Sequence, residues 1–173
     1  MILTGKQIIQ EVNAGRIVID PFCIEQVTTN AYDLRVSDLF IEYTDDILDP
    51  RKKPNTKISK IQPGGYVHFD KGSFKLGCSK EIIGSDHFVP IIHAKSGIAR
   101  LGMFVHVTAD LIDIGSIGKT TFQMYATLPV DIPVDTLIAQ VSFWVPKGKI
   151  VLYKGKYQGS SMPMASLSYQ SSL

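Results

Sequence analysis

The stretch MFVHVTADLIDIGSIGKTTFQMYA, residues 103–126, decides the fold class because it holds two β-like runs separated by glycine-punctuated turn residues. In the outgoing run, apolar and polar residues alternate. Successive side chains of a strand point to opposite faces of a sheet. The run therefore predicts a strand with one face in the core and a polar face that lines a pocket, formed by Thr121, Gln123 and Tyr125.

Short β-like runs recur along the rest of the chain, among them YDLRVSDLFIEY, GGYVHF, SFKLGCSKEII, HFVPII, TLIAQVSFWV and KIVLYK. Turn signals such as QPGG and VPKGK lie between them. One helix is predicted over 5–13, with Thr4 and Gln7 as a capping box and Gly15 beyond its end. The pattern predicts a mainly β fold, a distorted β-barrel or jelly roll with a short N-terminal helix, in a single domain over 1–173.

Composition excludes several classes of protein. A net charge of +2 on 173 residues does not favour binding to a nucleic acid polymer. Cys23 and Cys78 are far apart in the sequence, which argues against a disulfide scaffold and a structural zinc site. No signal peptide and no apolar run of about 20 residues is present, so we expect a cytoplasmic protein without a membrane partner.

The segment AKSGIARLG, residues 94–102, is a candidate phosphate site. Ser96 is predicted to cap a short helix that begins at Gly97. Free N–H groups at a helix start, the Ser96 hydroxyl and the Lys95 ammonium would together cradle a phosphate, and Arg100 lies one turn further on. The alternative is an ordinary serine-capped helix without a ligand.

Asp113 sits at the bend of the hairpin described above. Its carboxylate could activate a water molecule or position a hydrated metal ion. The alternative is an aspartate that only stabilises the turn. The histidines form no metal-binding spacing, so no metal site made of protein side chains is predicted.

Several segments resemble, in order, the motifs of the dCTP deaminase/dUTPase family, and of its dCTP deaminase branch most of all. KSGIARLGMFVHVTADLID is similar to the deaminase signature, in which an Arg-Ser-Ser run leads into Leu-Ala-Arg-Leu-Gly and a Val-His-Val-Thr-Ala strand. TTNAYDLRVSD at 28–38 resembles the first motif, with Asp33 at its aspartate, and IAQVSF at 138–143 resembles a later motif, with Gln140 at its glutamine. GKYQG at 155–159 resembles the start of the C-terminal segment.

The resemblance implies a dUTPase-like homotrimer of distorted β-barrels whose active sites lie between neighbouring subunits. It implies a pyrimidine nucleoside triphosphate as ligand, with Mg²⁺ bound through the phosphates. The candidate catalytic residues are Gln123, Asp113 and Ser96. The candidate nucleotide-binding residues are Lys95, Ser96, Gly97, Arg100, Ala109, Asp110, Tyr125, Gln140, Lys156 and Tyr157.

The chain departs from the deaminase pattern at several of these positions. Gln123 stands where the family has a glutamate that shuttles protons, and glutamine does not titrate. Lys95 replaces an arginine, Ser116 replaces an aromatic residue, and Asp110 replaces a histidine or glycine. These changes indicate an altered substrate or an altered function.

Three functions therefore stay open. The first is hydrolytic deamination of dCTP or a related cytidine nucleotide. The second is dUTPase-type pyrophosphate hydrolysis, in which Asp113 activates the water. The third is nucleotide binding without catalysis, since Gln123 replaces the catalytic glutamate.

The tail from about residue 156 is rich in serine and has few apolar residues to bury. We expect it to be mobile and to order over a bound ligand. Lys156 would then supply a positive charge to the phosphates.

Overall fold

The computed structural model describes residues 1–171, within which eleven strands and one helix of nine residues form the framework. The helical elements are α1 (Gly5–Asn13) and α2 (Ser96–Ala99), with short 3-10 turns at Ile24–Gln26 and Ser168–Gln170. The strands are β1 (Val18–Asp20), β2 (Tyr32–Arg35), β3 (Leu39–Tyr43), β4 (Thr56–Lys60), β5 (Tyr66–Phe69), β6 (Phe74–Gly84), β7 (Val89–Ala94), β8 (Met103–Phe104), β9 (Gly118–Ala126), β10 (Val130–Pro133) and β11 (Leu137–Trp144).

The N-terminal helix has the predicted bounds, but it begins without the predicted capping box. Thr4 is the N-cap residue, yet its side chain makes no capping hydrogen bond. Gln7 instead donates from Nε2 to Glu11 Oε1 at 2.7 Å. The glutamine is thus engaged one turn further along the helix. Gly15 follows the helix with φ of 71°, the left-handed conformation expected after a helix end.

The mainly β prediction is confirmed, but the strands form separate sheets and not a closed barrel. The largest sheet has the order β4-β3-β6-β9-β8, with β1 paired to β6 at one side. β2, β11 and β7 form a second sheet, and β10 pairs with β5. The named strand pairs in all three sheets are antiparallel.

Three of the predicted strands differ from the structure. The run at 103–108 is extended only at Met103–Phe104, because the chain then turns at His106, whose ring bonds back to Ala109. The run YDLRVSDLFIEY is broken into β2 and β3. The run KIVLYK forms no strand, since its described backbone hydrogen bonding to the rest of the chain is a single bond from Tyr153 N to Ile114 O at 2.8 Å.

A single core joins the sheets and the helix. It contains large apolar side chains from nearly every strand, of which the biggest are wholly buried: Tyr32, Phe40, Phe69, Phe122 and Phe143. Ile8 is the fully buried contribution of α1. Because the core covers one face of each strand, the opposite face points outward. The candidate site lies on the outer face of β9.

A buried ion pair ties the second sheet to the first. Arg35 on β2 donates from Nε to Glu81 Oε1 at 2.6 Å and from its backbone N–H to Oε2 at 3.1 Å. Gln26 donates to the same carboxylate at 3.2 Å. Glu81 is completely buried, so its charge is tolerated only because these donors satisfy it.

No helix within residues 1–171 combines the length and the apolar character needed to cross a bilayer.

Candidate active site

Strand β9 has the two faces that its sequence predicts. Phe122, Met124 and Ala126 are fully buried. The alternate residues Thr121 and Gln123 line a cavity on the other side. The apolar face packs into the core and thereby holds the polar face in place.

Tyr125 belongs to the same alternation but lies outside the cavity lining. It pairs with Phe104 across β8 and β9, and the centroids of the two rings are 6.3 Å apart. Tyr125 therefore lies beyond the end of the cavity, next to the Phe104 ring.

The cavity beside β9 has a volume of about 470 Å³, within the range of small-molecule sites. Its wall comes from three parts of the chain: β9 and its sheet neighbours, the loop between β8 and β9, and the C-terminal tail. The side chains that give it chemical character are Tyr43, His106, Asp113, Lys119, Thr121, Gln123, Tyr153 and Tyr157.

Gln123 lies in the cavity wall, on the outward face of β9. Its side chain makes no hydrogen bond to any other described residue. The amide therefore has both a donor and an acceptor available for a ligand. It does not titrate near neutral pH and therefore cannot act as a general acid or base.

The loop from 105 to 117 brings Ala109 and Asp113 to the same cavity. A turn closed by Ser116 N–H and Asp113 C=O at 3.0 Å shapes the loop end. Gly115, with φ of 91°, is anchored by its N–H to Ser85 O at 2.8 Å. Asp113 thus occupies the predicted bend, and its side chain is part of the cavity wall.

Asp110 lies in the same loop but outside the cavity lining. Its side chain is exposed, and its carbonyl accepts a hydrogen bond from Ile92 N on β7 at 2.9 Å. This backbone contact fastens the loop to the second sheet.

His106 is a half-buried titratable group in the cavity wall. Its Nε2 lies 2.5 Å from the carbonyl oxygen of Ala109. Burial lowers the pKa of His106 below its ordinary value, and the hydrogen bond to the carbonyl opposes only part of that effect. The ring is therefore neutral at physiological pH.

The C-terminal tail lies across the cavity through main-chain contacts. Gly159 N donates to Ile117 O at 3.0 Å, and Lys119 N donates to Ser160 O at 2.7 Å. Further along, Met164 N donates to Thr121 Oγ1 at 3.0 Å. Ser172 and Leu173, the last residues of the predicted mobile tail, lie outside the described part of the chain. Ordering of the tail by a ligand stays a prediction.

The two tail residues named from the resemblance have different surroundings. Tyr157 lines the cavity, and its hydroxyl accepts a hydrogen bond from Leu167 N at 2.9 Å. The Lys156 ammonium instead donates to Leu167 O and to Ser171 Oγ, both at 2.7 Å. Its positive charge is held within the tail and not in the cavity wall.

The candidate phosphate segment does not line this cavity. Its helix begins one residue earlier than predicted, because Lys95 is the N-cap and Ser96 is the first helical residue. The predicted serine cap is therefore wrong, and no side-chain capping bond is present. Ser96, Gly97 and Arg100 are exposed, and no atom would contact a Cβ at Gly97. The segment presents an open surface.

Lys95 is part of a compact polar cluster with two other residues named from the resemblance. Its ammonium forms an ion pair with Asp33 Oδ2. Asp33 Oδ1 accepts a hydrogen bond from Gln140 Nε2 at 2.7 Å, across the β2 and β11 pair. Gln140 therefore orients the aspartate, and the aspartate orients the lysine.

Sequence reasoning did not identify Lys119, Tyr43 and His106 as cavity residues. Lys119 was predictable, since it precedes Thr121 by two residues on the same strand. Tyr43 was not, because it reaches the cavity from β3 through the sheet order β3-β6-β9. Within residues 1–171 no three His, Cys, Asp or Glu side chains are grouped as a metal site.

Comparison with known proteins gives one consistent family. The dCTP deaminase-like family matches residues 2–145. Proteins named "dCTP deaminase, dUMP-forming" from Clostridium beijerinckii and Cytophaga hutchinsonii are 33% and 34% identical to this chain over 171 residues. Each comparison covers 98% of both chains. A relative of the same name from Leptospira biflexa is 33% identical, over 98% of this chain and 97% of its own.

A solved structure shares the fold. It is the 2'-deoxycytidine 5'-triphosphate deaminase of Agrobacterium tumefaciens, with a TM-score of 0.65 and 15% sequence identity. The match covers 84% of this chain and 48% of that one, so this chain spans about half the length of that protein.

The contact between β9 and the tail is tight enough to test by a single methyl group. A Cβ at Gly118 would lie 2.7 Å from Ser160 N and 3.0 Å from Ser160 O, both backbone atoms. We expect Gly118→Ala to push the tail off the cavity and to raise amide hydrogen exchange over 157–166. Gly97→Ala is the matched control, because a Cβ there meets no atom within 4 Å. Equal tail protection in both variants would show that the tail does not rest on β9.

Proposed function

This chain belongs to the dCTP deaminase-like family, and from that premise we propose that the cavity beside β9 binds a pyrimidine deoxynucleoside triphosphate and supports dCTP deaminase-type hydrolysis. The observation that carries the proposal is the convergence of Ala109, Asp113, Thr121 and Gln123 on one cavity. Ala109 and Asp113 come from the loop before β9, and Thr121 and Gln123 come from β9 itself. The Asp113 carboxylate, the Thr121 hydroxyl and the Gln123 amide offer hydrogen-bonding groups of the kind that a pyrimidine and its sugar require.

The relatives' name, "dCTP deaminase, dUMP-forming", specifies the reaction class more closely. Forming dUMP from dCTP needs two hydrolytic steps, in which water replaces the amine as ammonia and a second water releases pyrophosphate. Deamination and pyrophosphate release, which the sequence left as alternatives, are thus two successive steps on the same nucleotide. In this chain Asp113 is the carboxylate of the cavity wall, which favours it as the group that orients a water or the sugar.

A second function, binding without deamination, is favoured by Gln123. General acid–base catalysis contributes about 10²–10⁴-fold to a rate, and glutamine does not provide it. Other residues of the cavity wall, among them Asp113 and Thr121, still offer hydrogen-bonding groups to a ligand. A chain of this kind would hold the nucleotide tightly and turn it over slowly.

Mg²⁺ is expected to arrive with the triphosphate. This ion is usually held by substrate phosphates and water, with one or two carboxylates at most. Asp113 is available for that role in the cavity wall, whereas Asp33 is already paired with Lys95. Such a site needs no cage of protein ligands.

The free thiols of Cys23 and Cys78 favour a reducing compartment, in keeping with a cytoplasmic enzyme of nucleotide metabolism.

The direct test of the catalytic role is Gln123→Glu. This change restores a titratable group at nearly constant volume, so we expect deamination of dCTP with Mg²⁺ to appear or to rise on the order of 10²-fold. Separation of dCTP, dUTP and dUMP by chromatography, together with measurement of released ammonia, would record both steps. CTP and dUTP serve as alternative substrates in the same assay.

Gln10→Glu is the control for this experiment, since it makes the same chemical change on the exposed surface of α1. It should leave both rates unchanged. If Gln123→Glu binds dCTP normally and still releases no ammonia, the binding function is favoured and the deaminase function is contradicted.

The homotrimer is part of the same proposal. The phosphate segment at 95–100 does not line the cavity of its own chain, so a complete site would take that segment from a neighbouring copy. Large apolar side chains near both segments are about half exposed, which favours a covered surface: Leu101, Phe104, Val107 and Leu111.

We therefore expect a mass in solution of three times the 19.1 kDa of one chain. Sedimentation equilibrium at micromolar concentration would measure it. A clean monomer that still binds dCTP would contradict the shared site.

A further inference from the structure

The wall of the cavity beside β9 contains one lysine or arginine among residues 1–171, and it is Lys119. Within the same described range, the Lys119 ammonium makes no ion pair and no hydrogen bond to another side chain or to the backbone. Its charge is therefore available to a negatively charged group that enters the cavity.

The cations named from the family resemblance do not supply a charge to this wall. Lys95 is paired with Asp33, and the Lys156 ammonium donates to Leu167 O and to Ser171 Oγ. Arg100 is exposed and lies outside the cavity lining. A triphosphate needs positive charge wherever it binds. In the wall that one chain builds, Lys119 is the residue that offers it.

The backbone of Lys119 is fixed on two sides. Lys119 pairs with Ile82 of β6, and its N–H donates to Ser160 O in the tail at 2.7 Å. The next N–H along the strand, that of Thr120, donates to Ser79 Oγ at 2.9 Å. Only the half-buried side chain of Lys119 is left to be ordered by a ligand, which lowers the entropic cost of binding.

The position of Lys119 along β9 gives the cavity two different ends. Lys119 lies on the same face as Gln123 and four residues before it, which is roughly 13 Å along a strand. Leu76 pairs with Gln123 at one end, whereas Ser160 contacts Lys119 at the other. A pyrimidine nucleotide has the same polarity, with a flat ring at one end and phosphates at the other. A base at Gln123 would therefore direct its phosphates toward Lys119.

On the premise of the proposed function, we propose that Lys119 is a phosphate-binding residue that makes the cavity select a nucleoside triphosphate over the nucleoside. Its ammonium donates to phosphate oxygens of the ligand, and it is contributed by the same chain that contributes Gln123. The segment at 95–100 of a neighbouring copy would hold the phosphates from the opposite side. Asp113 in the same wall stays available for the sugar or a water.

The test compares the wild type with Lys119→Met and Lys119→Arg. Methionine removes the charge and keeps an unbranched side chain, whereas arginine keeps the charge. Lys6→Met is the control, because it removes the charge of an exposed lysine on α1. Affinities for dCTP, deoxycytidine and inorganic tripolyphosphate would be measured calorimetrically at low and at high salt.

We expect Lys119→Met to weaken the binding of dCTP and of tripolyphosphate about tenfold to a hundredfold, as the loss of a hydrogen bond to a charged group does. The loss should shrink at high salt, where charges are screened. Deoxycytidine carries no phosphate, so its affinity should not change. Lys119→Arg should bind dCTP nearly as well as the wild type, and Lys6→Met should match the wild type.

Two results would overturn the proposal. One is an unchanged affinity for dCTP in Lys119→Met. The other is an equal loss of dCTP and deoxycytidine binding in both Lys119 variants, which would show that the residue supports the shape of the cavity and not the binding of phosphate.

Tripolyphosphate separates this inference from the proposed function because it contains no pyrimidine. If its binding depends on Lys119 while dCTP binds no more tightly, the proposed function is wrong and the phosphate site stands. If dCTP is bound and turned over equally by the wild type and by Lys119→Met, the role of Lys119 is wrong and the proposed function stands.

Discussion

The alternation of side chains along β9 is the constraint on which the site depends. Phe122, Met124 and Ala126 are fully buried, and a strand that buries one set of alternate residues must present the other set outward. A shift of register by one residue would bury Gln123 and expose Phe122. Pairing with β6 on one side and β8 on the other prevents that shift. The position of the candidate base-binding amide is thus set by the core, and the loop and the tail are arranged around it.

The residues that resemble the family motifs fall into two groups on this chain. Ala109, Asp113, Gln123 and Tyr157 line the cavity. Lys95, Asp33 and Gln140 form a separate cluster on the second sheet, next to the exposed segment at 96–100. In that cluster the lysine is neutralised by a well-buried carboxylate, so a phosphate must compete with Asp33 for it. An arginine would present a planar fork of N–H donors, whereas the lysine ammonium is a single point charge. The competition between Asp33 and a phosphate for this one charge therefore matters more.

Much of this arrangement was predictable from sequence, and the failures have physical causes. Helix α1 and the two faces of β9 follow from periodicity, which is a local property. The serine cap at Ser96 failed because a choice between adjacent cap residues depends on backbone geometry that the motif does not specify. Tyr43 joins the cavity only through sheet order, and Lys156 turns to the tail because Leu167 O and Ser171 Oγ lie nearby.

The central claim is that the cavity beside β9 receives the pyrimidine ring and that Gln123 contacts it. A crystal structure with a non-hydrolysable dCTP analogue and Mg²⁺ tests this most directly. The account predicts the ring within hydrogen-bond distance of the Gln123 amide, with the phosphates at residues 95–100 of a neighbouring copy. A ring bound elsewhere on the chain, or bound in the cavity with the Gln123 amide unpaired, would contradict it.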